Sequence, residues 1–354
     1  HRDLHSFPTR RSSDLIDGAI RYASMSMMGA TFILLGVGLL YGEAGTLNMV
    51  DLAEKLAGRA PSVTLVASAF LLLAGFALKT GLFPLFFWLP ASYHTAPIVA
   101  VAALAGLLTK VGFYACLRVF VLVFGVAGGS VVPGLPAVFG VLAAATMLVS
   151  VLAAIAQVDI RRLLGYHIVA QVAYPMVGLA LASFVGIAAA IFYMVHTMLV
   201  QTGLFLGAGA IARANGSYDM RRCGGLMVYQ PFFAGLFALL AFSMIGVPPL
   251  SGFWAKYFVI DAAFRGGAVW LAVVSLVVGF LTLHSLSKFW SHAFWKAPPR
   301  ERRVLRRIPP AMMLALMLLC ACTLGIGLAV EPVSEFVREA ARQMTSAATT
   351  GGLP

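Results

Sequence analysis

Long apolar stretches separated by short polar loops dominate the chain. A window of about 20 apolar residues is long enough to cross a lipid bilayer as a helix. By this measure nine spans are predicted, at about 22–41, 63–89, 98–124, 134–157, 167–184, 187–211, 231–262, 268–290 and 309–330. The pattern therefore predicts an all-α fold, a polytopic bundle of transmembrane helices.

Two of these spans, 63–89 and 231–262, are too long and too rich in proline to be single straight helices. The interrupting residues are Pro84, Pro90, Pro248 and Pro249. Proline lacks a backbone N–H and breaks the helical hydrogen-bond ladder. Since lipid offers no partner for free backbone groups, each break must be buried in protein or face water. Each of the two spans is predicted to consist of two half-helices.

Composition supports the membrane assignment and excludes a soluble domain. Hydrophobic residues make up 61% of the chain and charged residues only 11%, with a mean hydropathy of +0.93. The net charge of +12 lies mostly in loops, without the interleaved basic and aromatic residues of nucleic-acid binding surfaces. Anionic membrane lipids are therefore the expected partners of this charge, and nucleic acid is not.

The basic residues divide unevenly between the two sides of the predicted bundle. One side carries Arg161, Arg162, Arg213, Arg221, Arg222, Lys296, Arg300, Arg302, Arg303, Arg306 and Arg307. The other carries Lys55, Arg59, Arg265, Arg338 and Arg342, mixed with Asp51, Glu54, Glu331, Glu335 and Glu339. The positive-inside rule makes the first side cytoplasmic and places the C-terminus outside.

Cofactor and metal motifs are absent from the sequence. The cysteines are Cys116, Cys223, Cys320 and Cys322, and they form no C-x-x-C pair. Neither a disulfide framework nor a zinc site is indicated. The sequence also lacks a Walker loop and a dinucleotide-binding fingerprint. No cofactor and no metal are predicted.

Three lysines lie inside apolar spans: Lys79, Lys110 and Lys256. Each costs roughly 2.5–3.5 kcal/mol on insertion scales, so a functional use is expected. Lys110 is about twelve residues into its span, about 18 Å deep, which is too deep to reach the interface easily. Lys79 and Lys256 stand beside the proline breaks, a pattern that marks ion sites in transporters built from inverted repeats.

Two histidines join the lysines as candidate proton carriers, because imidazole titrates near physiological pH. His196 lies in mid-span, and His284 lies one turn from Lys288. The alternative for each is a neutral imidazole held by a single structural hydrogen bond. The predicted relay set is Lys79, Lys110, His196, Lys256 and His284.

Several stretches resemble the D subunits of the Mrp-type multisubunit sodium/proton antiporters, in the order found in that family. They are LLYGEAGTLNMVDLAEKL, GLFPLFFWLPASYHTAPIVAVAALAGLLTKVGFYACLRVF, AQVDIRRLLGYHIVAQVAY, VHTMLVQTGLFLGAGAI and GVPPLSGFWAKYF. The wording FFWLPASYHTAP favours these proteins over the related antiporter-like subunits of respiratory complex I. The resemblance covers residues from about Ile16 to Phe294.

The resemblance implies a fold of about fourteen transmembrane helices containing two inverted repeats, each with one broken helix. A non-native segment is expected at 1–15, because the sequence HRDLHSFPTRRSSDL is similar to translated sequencing-adapter DNA and changes character abruptly at Ile16. The rest of the first repeat is expected at 16–130 and the second repeat at 131–295. A basic cytoplasmic loop, the last transmembrane helix and the C-terminal tail are expected at 296–354.

The resemblance also implies roles for individual residues. Lys79 would be the proton site of the first half-channel, Lys110 and His196 central relay positions, and Lys256 the site of the second half-channel. The family's functional glutamate, which pairs with the lysine at Lys79, has no counterpart in this sequence. Gln201 stands where many relatives have a lysine.

The function implied is proton translocation in a monovalent cation/proton antiporter of the bacterial inner membrane. The expected partners are the other subunits of the complex, membrane lipids, protons and the cation. Such a subunit is a transporter component and not by itself an enzyme. Two alternatives stay open: an antiporter-like subunit of NADH-quinone oxidoreductase or a membrane-bound hydrogenase, and an assembly scaffold without transport.

Overall fold

The structure, a computed structural model, describes residues 9–297 and 307–350, and the side chains of all of these except 9–14, 128, 129 and 346–350. The predicted segment 1–15 lies partly outside the described residues, and Arg300, Arg302, Arg303 and Arg306 lie wholly outside them. The α-helices are α1 (Thr9–Ala44), α2 (Met49–Leu56), α3 (Val63–Thr80), α4 (Trp88–Tyr93), α5 (Ile98–Arg118), α6 (Val126–Gly129), α7 (Leu135–Ala156), α8 (Ile160–Ala180), α9 (Phe184–Asn215), α10 (Leu226–Tyr229), α11 (Pro231–Ile245), α12 (Ser251–Arg265), α13 (Val269–Trp290), α14 (Pro310–Leu328) and α15 (Val330–Thr350). Two π-helical turns, Val119–Val123 and Ser291–Trp295, extend α5 and α13, and a 3-10 turn spans Met220–Arg222.

The predicted helical membrane bundle is confirmed. Within the described residues, eight helices are long and apolar enough to cross a membrane. The remaining predicted span, 231–262, consists of α11 and α12, which have 15 residues each. Each half-helix is shorter than the roughly 20 residues that a bilayer requires, so together they form one interrupted crossing.

Both predicted helix breaks are present, but the prediction for Pro90 was wrong. Pro90 lies inside α4, in the first turn, where backbone N–H groups have no helical partner and a proline is tolerated. α3 ends at Gly81, whose φ of 80° is left-handed, and the chain passes Pro84 before α4 begins. α11 ends at Gly246, with a φ of 99°, and Pro248 and Pro249 precede α12. A glycine in this conformation terminates a helix without strain. Both interrupted crossings therefore contain a glycine with positive φ that is followed by proline.

Polar caps place several helix ends away from the limits of the apolar windows. α8 begins at Ile160, seven residues before the predicted span, because the Asp159 carboxylate accepts hydrogen bonds from the backbone N–H groups of Arg161 and Arg162. α9 begins at Phe184 because the Ser183 hydroxyl accepts from the Gly186 N–H. Hydropathy windows do not detect such caps, so those predicted starts were late.

α8 and α9 form the centre of the bundle. In the most apolar 18-residue window of α8, 89% of the residues are buried. α8 packs against α7, α9, α12 and α4, and the longer α9 also contacts α5, α11, α14 and α15. The end of α8 and the start of α9 approach so closely that glycine is needed, since a Cβ on Gly178 would lie 2.3 Å from the Gly186 carbonyl oxygen. Close backbone approach of this kind is how membrane helices gain packing energy.

Two amphipathic helices lie on one end of the bundle. α2 packs on the π-helical turn Val119–Val123, and α15 packs on the same turn, on α6 and on α9. α15 buries Val337, Ala341 and Met344 along one face. The end of α12 and the beginning of α9 lie on this side of the bundle as well. We call this side of the bundle the α15 face.

Candidate functional site

Lys79 lies at the first helix break, in the last turn of α3. Its ammonium group donates a 2.7 Å hydrogen bond to the hydroxyl of Ser26 on α1. The carbonyl oxygen of Leu78, at the end of α3, accepts from the Trp88 indole N–H at 2.9 Å. Carbonyls at a helix C-terminus lack helical partners, and here a tryptophan from α4 supplies a donor.

Lys110 lies in the middle of α5 and is 2% exposed. Its ammonium group donates to the Ala105 carbonyl oxygen at 2.6 Å and to the side-chain oxygen of Gln201 on α9. Both acceptors are neutral. The expected depth of this lysine is thus matched by a buried polar contact between two transmembrane helices.

Lys256 lies at the second break and is 7% exposed. Its ammonium group donates at 2.7 Å to the carbonyl oxygen of Ile245, the last residue of α11. A cation at this position complements the negative end of the helix dipole. The same ammonium lies 5.5 Å from the ring centroid of Tyr174 on α8, close enough for a cation–π contact.

A buried hydroxyl cluster connects His196 to the second break. The Nδ1 atom of His196 is 2.8 Å from the Ser251 hydroxyl in the first turn of α12. The hydroxyls of Ser251 and Thr323 are 2.5 Å apart, and those of Thr323 and Ser243 are 2.7 Å apart. His196 on α9 is therefore linked through hydroxyl groups to α11, α12 and α14.

Aromatic residues fill the space between His196 and Lys256. The rings of Tyr174 and Tyr193 stack with centroids 4.8 Å apart, and the His196 ring meets Tyr193 edge-on at 5.7 Å. The Tyr193 hydroxyl donates to Gln171, and the Tyr174 hydroxyl donates to the Ser275 carbonyl at 2.8 Å. His196 and Lys256 thus belong to one polar layer inside an apolar bundle, and α9 carries both His196 and Gln201, the partner of Lys110.

The structure does not bring His284 into this layer. His284 lies on the exposed face of α13, whereas Ser275, Thr282 and Ser285 line its buried face. A different histidine, His167 on α8, is fully buried and lies 2.9 Å from the Ser285 hydroxyl through Nε2. Neighbouring helix positions differ by about 100° in direction, so adjacent residues can face opposite environments.

Sequence reasoning missed Tyr174, Tyr193, Gln171 and the hydroxyl cluster. A detectable signal was present in α8, where His167, Gln171 and Tyr174 recur at spacings of four and three residues. This spacing places polar groups on one face of a helix. In an otherwise apolar span, a polar stripe predicts contact with another polar stripe.

The described part of the chain supplies no carboxylate to the buried lysines. Every ion pair among the described residues joins an arginine to an aspartate or glutamate. No group of three or more His, Cys, Asp or Glu residues there is placed to hold a metal ion. The layer consists of amines, imidazole, amides and hydroxyls, which can transfer protons by hydrogen bonding but offer no anionic cation cage.

Polar contacts surround the start of α8, outside the predicted spans. Asp159 and Asp219 form an isolated antiparallel backbone bridge, and the Arg161 guanidinium lies 3.9 Å from the Tyr218 ring centroid. The hydrogen bond from the Arg221 side chain holds the pKa of the Asp219 carboxyl below its usual value. Burial, and next the Arg162 guanidinium, lower the pKa of His94.

Comparisons with known proteins agree with this architecture. Residues 8–282 match the family model described as NADH:quinone oxidoreductase/Mrp antiporter, TM. The chain is 38% identical over 326 residues to the D subunit of the Na(+)/H(+) antiporter of Alkalihalophilus pseudofirmus, covering 92% of this chain and 65% of that protein. It is 36% identical over 335 residues to the N subunit of NADH-quinone oxidoreductase of Desulforudis audaxviator, covering 92% and 66%.

A solved structure has the same fold. A chain of the Mrp complex from Dietzia sp. DQ12-45-1b superposes with a TM-score of 0.86 at 29% identity, covering 95% of this chain and 69% of that one. This chain spans just under two thirds of the length of the curated relatives it matches. The chain belongs to the transmembrane NADH:quinone oxidoreductase/Mrp antiporter family.

Proposed function

We propose that this chain is the proton-translocating part of a subunit of a monovalent cation/proton antiporter. It lies in a bacterial cell membrane with the C-terminus outside and works with the other subunits of a complex. The 38% identity to a protein named as a Na(+)/H(+) antiporter component supports this function. It is a transporter component and not an enzyme. The proton relay comprises Lys79, Lys110, His196 and Lys256.

The observation that carries the proposal is the contact between Lys110 and Gln201. A lysine buried among apolar helices is costly to insert, and here its acceptors are neutral oxygens and not carboxylates. Desolvation disfavours the charged amine, so the site can exist with or without its proton. A lysine locked in an ion pair would lack this freedom.

Charge coupling determines how a proton at one site of the relay affects the other sites. A proton gained at one buried amine adds positive charge that favours proton loss at neighbouring bases. The Ile245 carbonyl and the Tyr174 ring stabilise the charged form of Lys256. The hydroxyls of Ser251, Thr323 and Ser243 can both donate and accept, so they can carry a proton between His196 and the second break.

The test is transport by lysine variants in the assembled complex. We expect Lys110→Ala to abolish sodium-dependent dissipation of a pH gradient in everted vesicles while the complex still assembles. Lys110→Arg should fail as well, because arginine keeps its proton at any accessible pH. The control is Lys55→Ala, which removes an exposed lysine that contacts the Ala44 carbonyl. Near-normal exchange by Lys110→Arg would show that only a fixed positive charge is needed.

The 36% identity to a protein named as a component of NADH-quinone oxidoreductase supports a second candidate function. In that case the same layer would move protons within a redox-driven complex. The two are separated by the genes beside this one and by the subunits that co-purify with it. Small membrane subunits alone favour antiport, whereas iron–sulfur and quinone-site subunits favour the redox complex.

A further inference from the structure

A cavity of about 520 Å³ opens on the α15 face, away from the polar layer. Three helices form it: the first turns of α9, the second half of α12 and the first half of α15. The volume falls within the usual range of about 300–1,000 Å³ for ligand sites. Nothing in the proton relay uses this cavity.

The cavity is polar at one end and apolar along its length. On α12, the lining runs from Tyr257 and Phe258 through Asp261 to Arg265, the last residue of the helix. These eight residue steps cover about 12 Å along the helix axis. On α9, Phe192 contributes to the apolar part. The polar end therefore lies where the spans end, at headgroup depth, and the apolar part extends toward the hydrocarbon region.

Two guanidinium groups lie at the polar end, those of Arg265 and Arg338. Asp261 accepts from Nε of Arg265 at 2.9 Å, which fixes that side chain. Among the described residues, neither Arg338 nor the terminal nitrogens of Arg265 form an ion pair with another carboxylate. Arginine has several donors in a planar fork that matches a phosphate.

The apolar part of the cavity is continuous with the outer surface of the bundle. Val185 and Tyr257, which line it, are 48% and 46% exposed. The charge and the depth together match a phospholipid, with its phosphate at the arginines and an acyl chain along the aromatic wall. We propose that this cavity binds the headgroup phosphate and proximal acyl chain of an anionic phospholipid in the leaflet beside α15.

This site does not depend on the proposed proton relay. α15 is an amphipathic helix that buries Val337, Ala341 and Met344 against the protein and leaves Glu335, Glu339 and Arg342 exposed, as expected of a helix at the membrane interface. A lipid bound between α15, α9 and α12 would stabilise the packing of α15 on the bundle. The lipid would act as a structural ligand of the C-terminal helix.

The experiment measures lipid binding to the purified assembled complex by native mass spectrometry. Dioleoyl phosphatidylglycerol and dioleoyl phosphatidylcholine have the same acyl chains and differ in headgroup charge. We expect tighter binding of phosphatidylglycerol, and about fivefold weaker binding of that lipid to Arg338→Gln or Arg265→Gln. Arg342→Gln is the matched control, since Arg342 is ion-paired with Glu339 on the same helix and does not line the cavity.

A second variant tests whether the lipid occupies the cavity itself. Ala188 lines the cavity wall, and Ala188→Phe should lower the binding of both lipids by filling it. An equal loss with Arg342→Gln would overturn the proposal in favour of general surface charge. Unchanged binding to Ala188→Phe would place the lipid elsewhere. Unchanged lipid binding together with loss of a co-purifying subunit in Arg338→Gln would identify a protein partner at this surface.

Discussion

The ammonium group of Lys110 on α5 donates a hydrogen bond to the side-chain carbonyl oxygen of Gln201 on α9. The contact joins two helices across 91 sequence positions and fixes the orientation of the Gln201 amide. The Nε2 atom of that amide has no hydrogen-bond partner among the described residues. Gln201 therefore acts toward Lys110 as a neutral acceptor, at a position where a charged side chain would change the balance of the site.

Replacing Gln201 by glutamate should slow exchange and move its optimum to higher pH. A carboxylate beside Lys110 favours the charged amine, which would then release its proton less readily. The measurement is sodium-dependent pH-gradient dissipation in everted vesicles across a pH series. Gln201→Leu is the companion variant, since it removes the acceptor without adding charge and should not move the optimum upward. An unchanged pH profile in Gln201→Glu would separate Gln201 from the relay.

His196 and His284 should behave differently when each is replaced by glutamine. His196 is buried and hydrogen-bonded to Ser251, whereas His284 lies on the exposed face of α13. Glutamine can keep one hydrogen bond but cannot gain a proton. We expect His196→Gln to lower the exchange rate by about 100-fold, the lower end of the range for a proton-transferring side chain. We expect His284→Gln to keep the rate within about twofold, as for surface changes away from a site.

The result for these two histidines decides between a relay through α9 and one through α13. A large loss in His284→Gln with full activity in His196→Gln would reverse the assignment. Equal losses with normal assembly would require a path that includes both. Complex assembly is checked by co-purification of the remaining subunits with each variant.

Gly252→Ala should destabilise the second break. A Cβ at this position would lie 1.6 Å from the Ser243 carbonyl oxygen and 2.9 Å from His196 Cε1. Overpacking in a close-packed interior costs about 1–3 kcal/mol or more. The matched control is Gly235→Ala in the interior of α11, where no atom lies within 4 Å of the added Cβ. Thermal unfolding of the purified complex should show a lower Tm for the first variant alone.

The helix breaks could be predicted from sequence because their cause is local. Each break combines a glycine in the left-handed conformation, Gly81 or Gly246, with a proline two or three residues later. Pro175, which has no such glycine beside it, lies inside α8 without ending it. The position of Lys256 beside the freed carbonyl of Ile245 follows from the same sequence segment. These features needed no knowledge of which helices pack together.

The partners of Lys110 and His196 could not be predicted, because they depend on how each helix is rotated about its axis. Packing of α9 against α5 and α12 decides that Gln201 meets Lys110 and that His196 meets Ser251. On α13 the stripe of Ser275, Thr282 and Ser285 marks the buried face. That stripe would have predicted that His284 faces outward. The prediction that His284 belongs to the relay rested instead on its position one helical turn from Lys288.

His94 connects the first interrupted crossing to the start of α8. Its Nδ1 atom is 3.1 Å from the Pro90 carbonyl oxygen and its Nε2 atom is 3.0 Å from the Arg162 guanidinium. A carbonyl only accepts and a guanidinium only donates, so the contacts require the neutral imidazole with its proton on Nδ1. Protonation would place a second donor against Arg162. The facing charged groups are Arg162, Arg161 and Asp159.

The pH dependence of stability follows from the lowered pKa of His94. Burial is the main cause, and Arg162 and Arg161 add to it, while the hydrogen bond with Pro90 and the charge of Asp159 oppose it. The pKa of His94 is lower in the folded state than the unfolded value of about 6.5. Between these two pKa values the unfolded chain therefore binds more protons than the folded chain. The stabilising contribution of neutral His94 is thus present above about pH 6.5 and is lost as the pH falls. We expect the Tm of the wild-type complex to fall more steeply from pH 7.5 to 5.5 than that of His94→Gln, whose amide does not titrate. Arg162→Gln removes one cause and should give an intermediate slope, whereas parallel slopes for all three proteins would exclude His94 as a source of acid sensitivity.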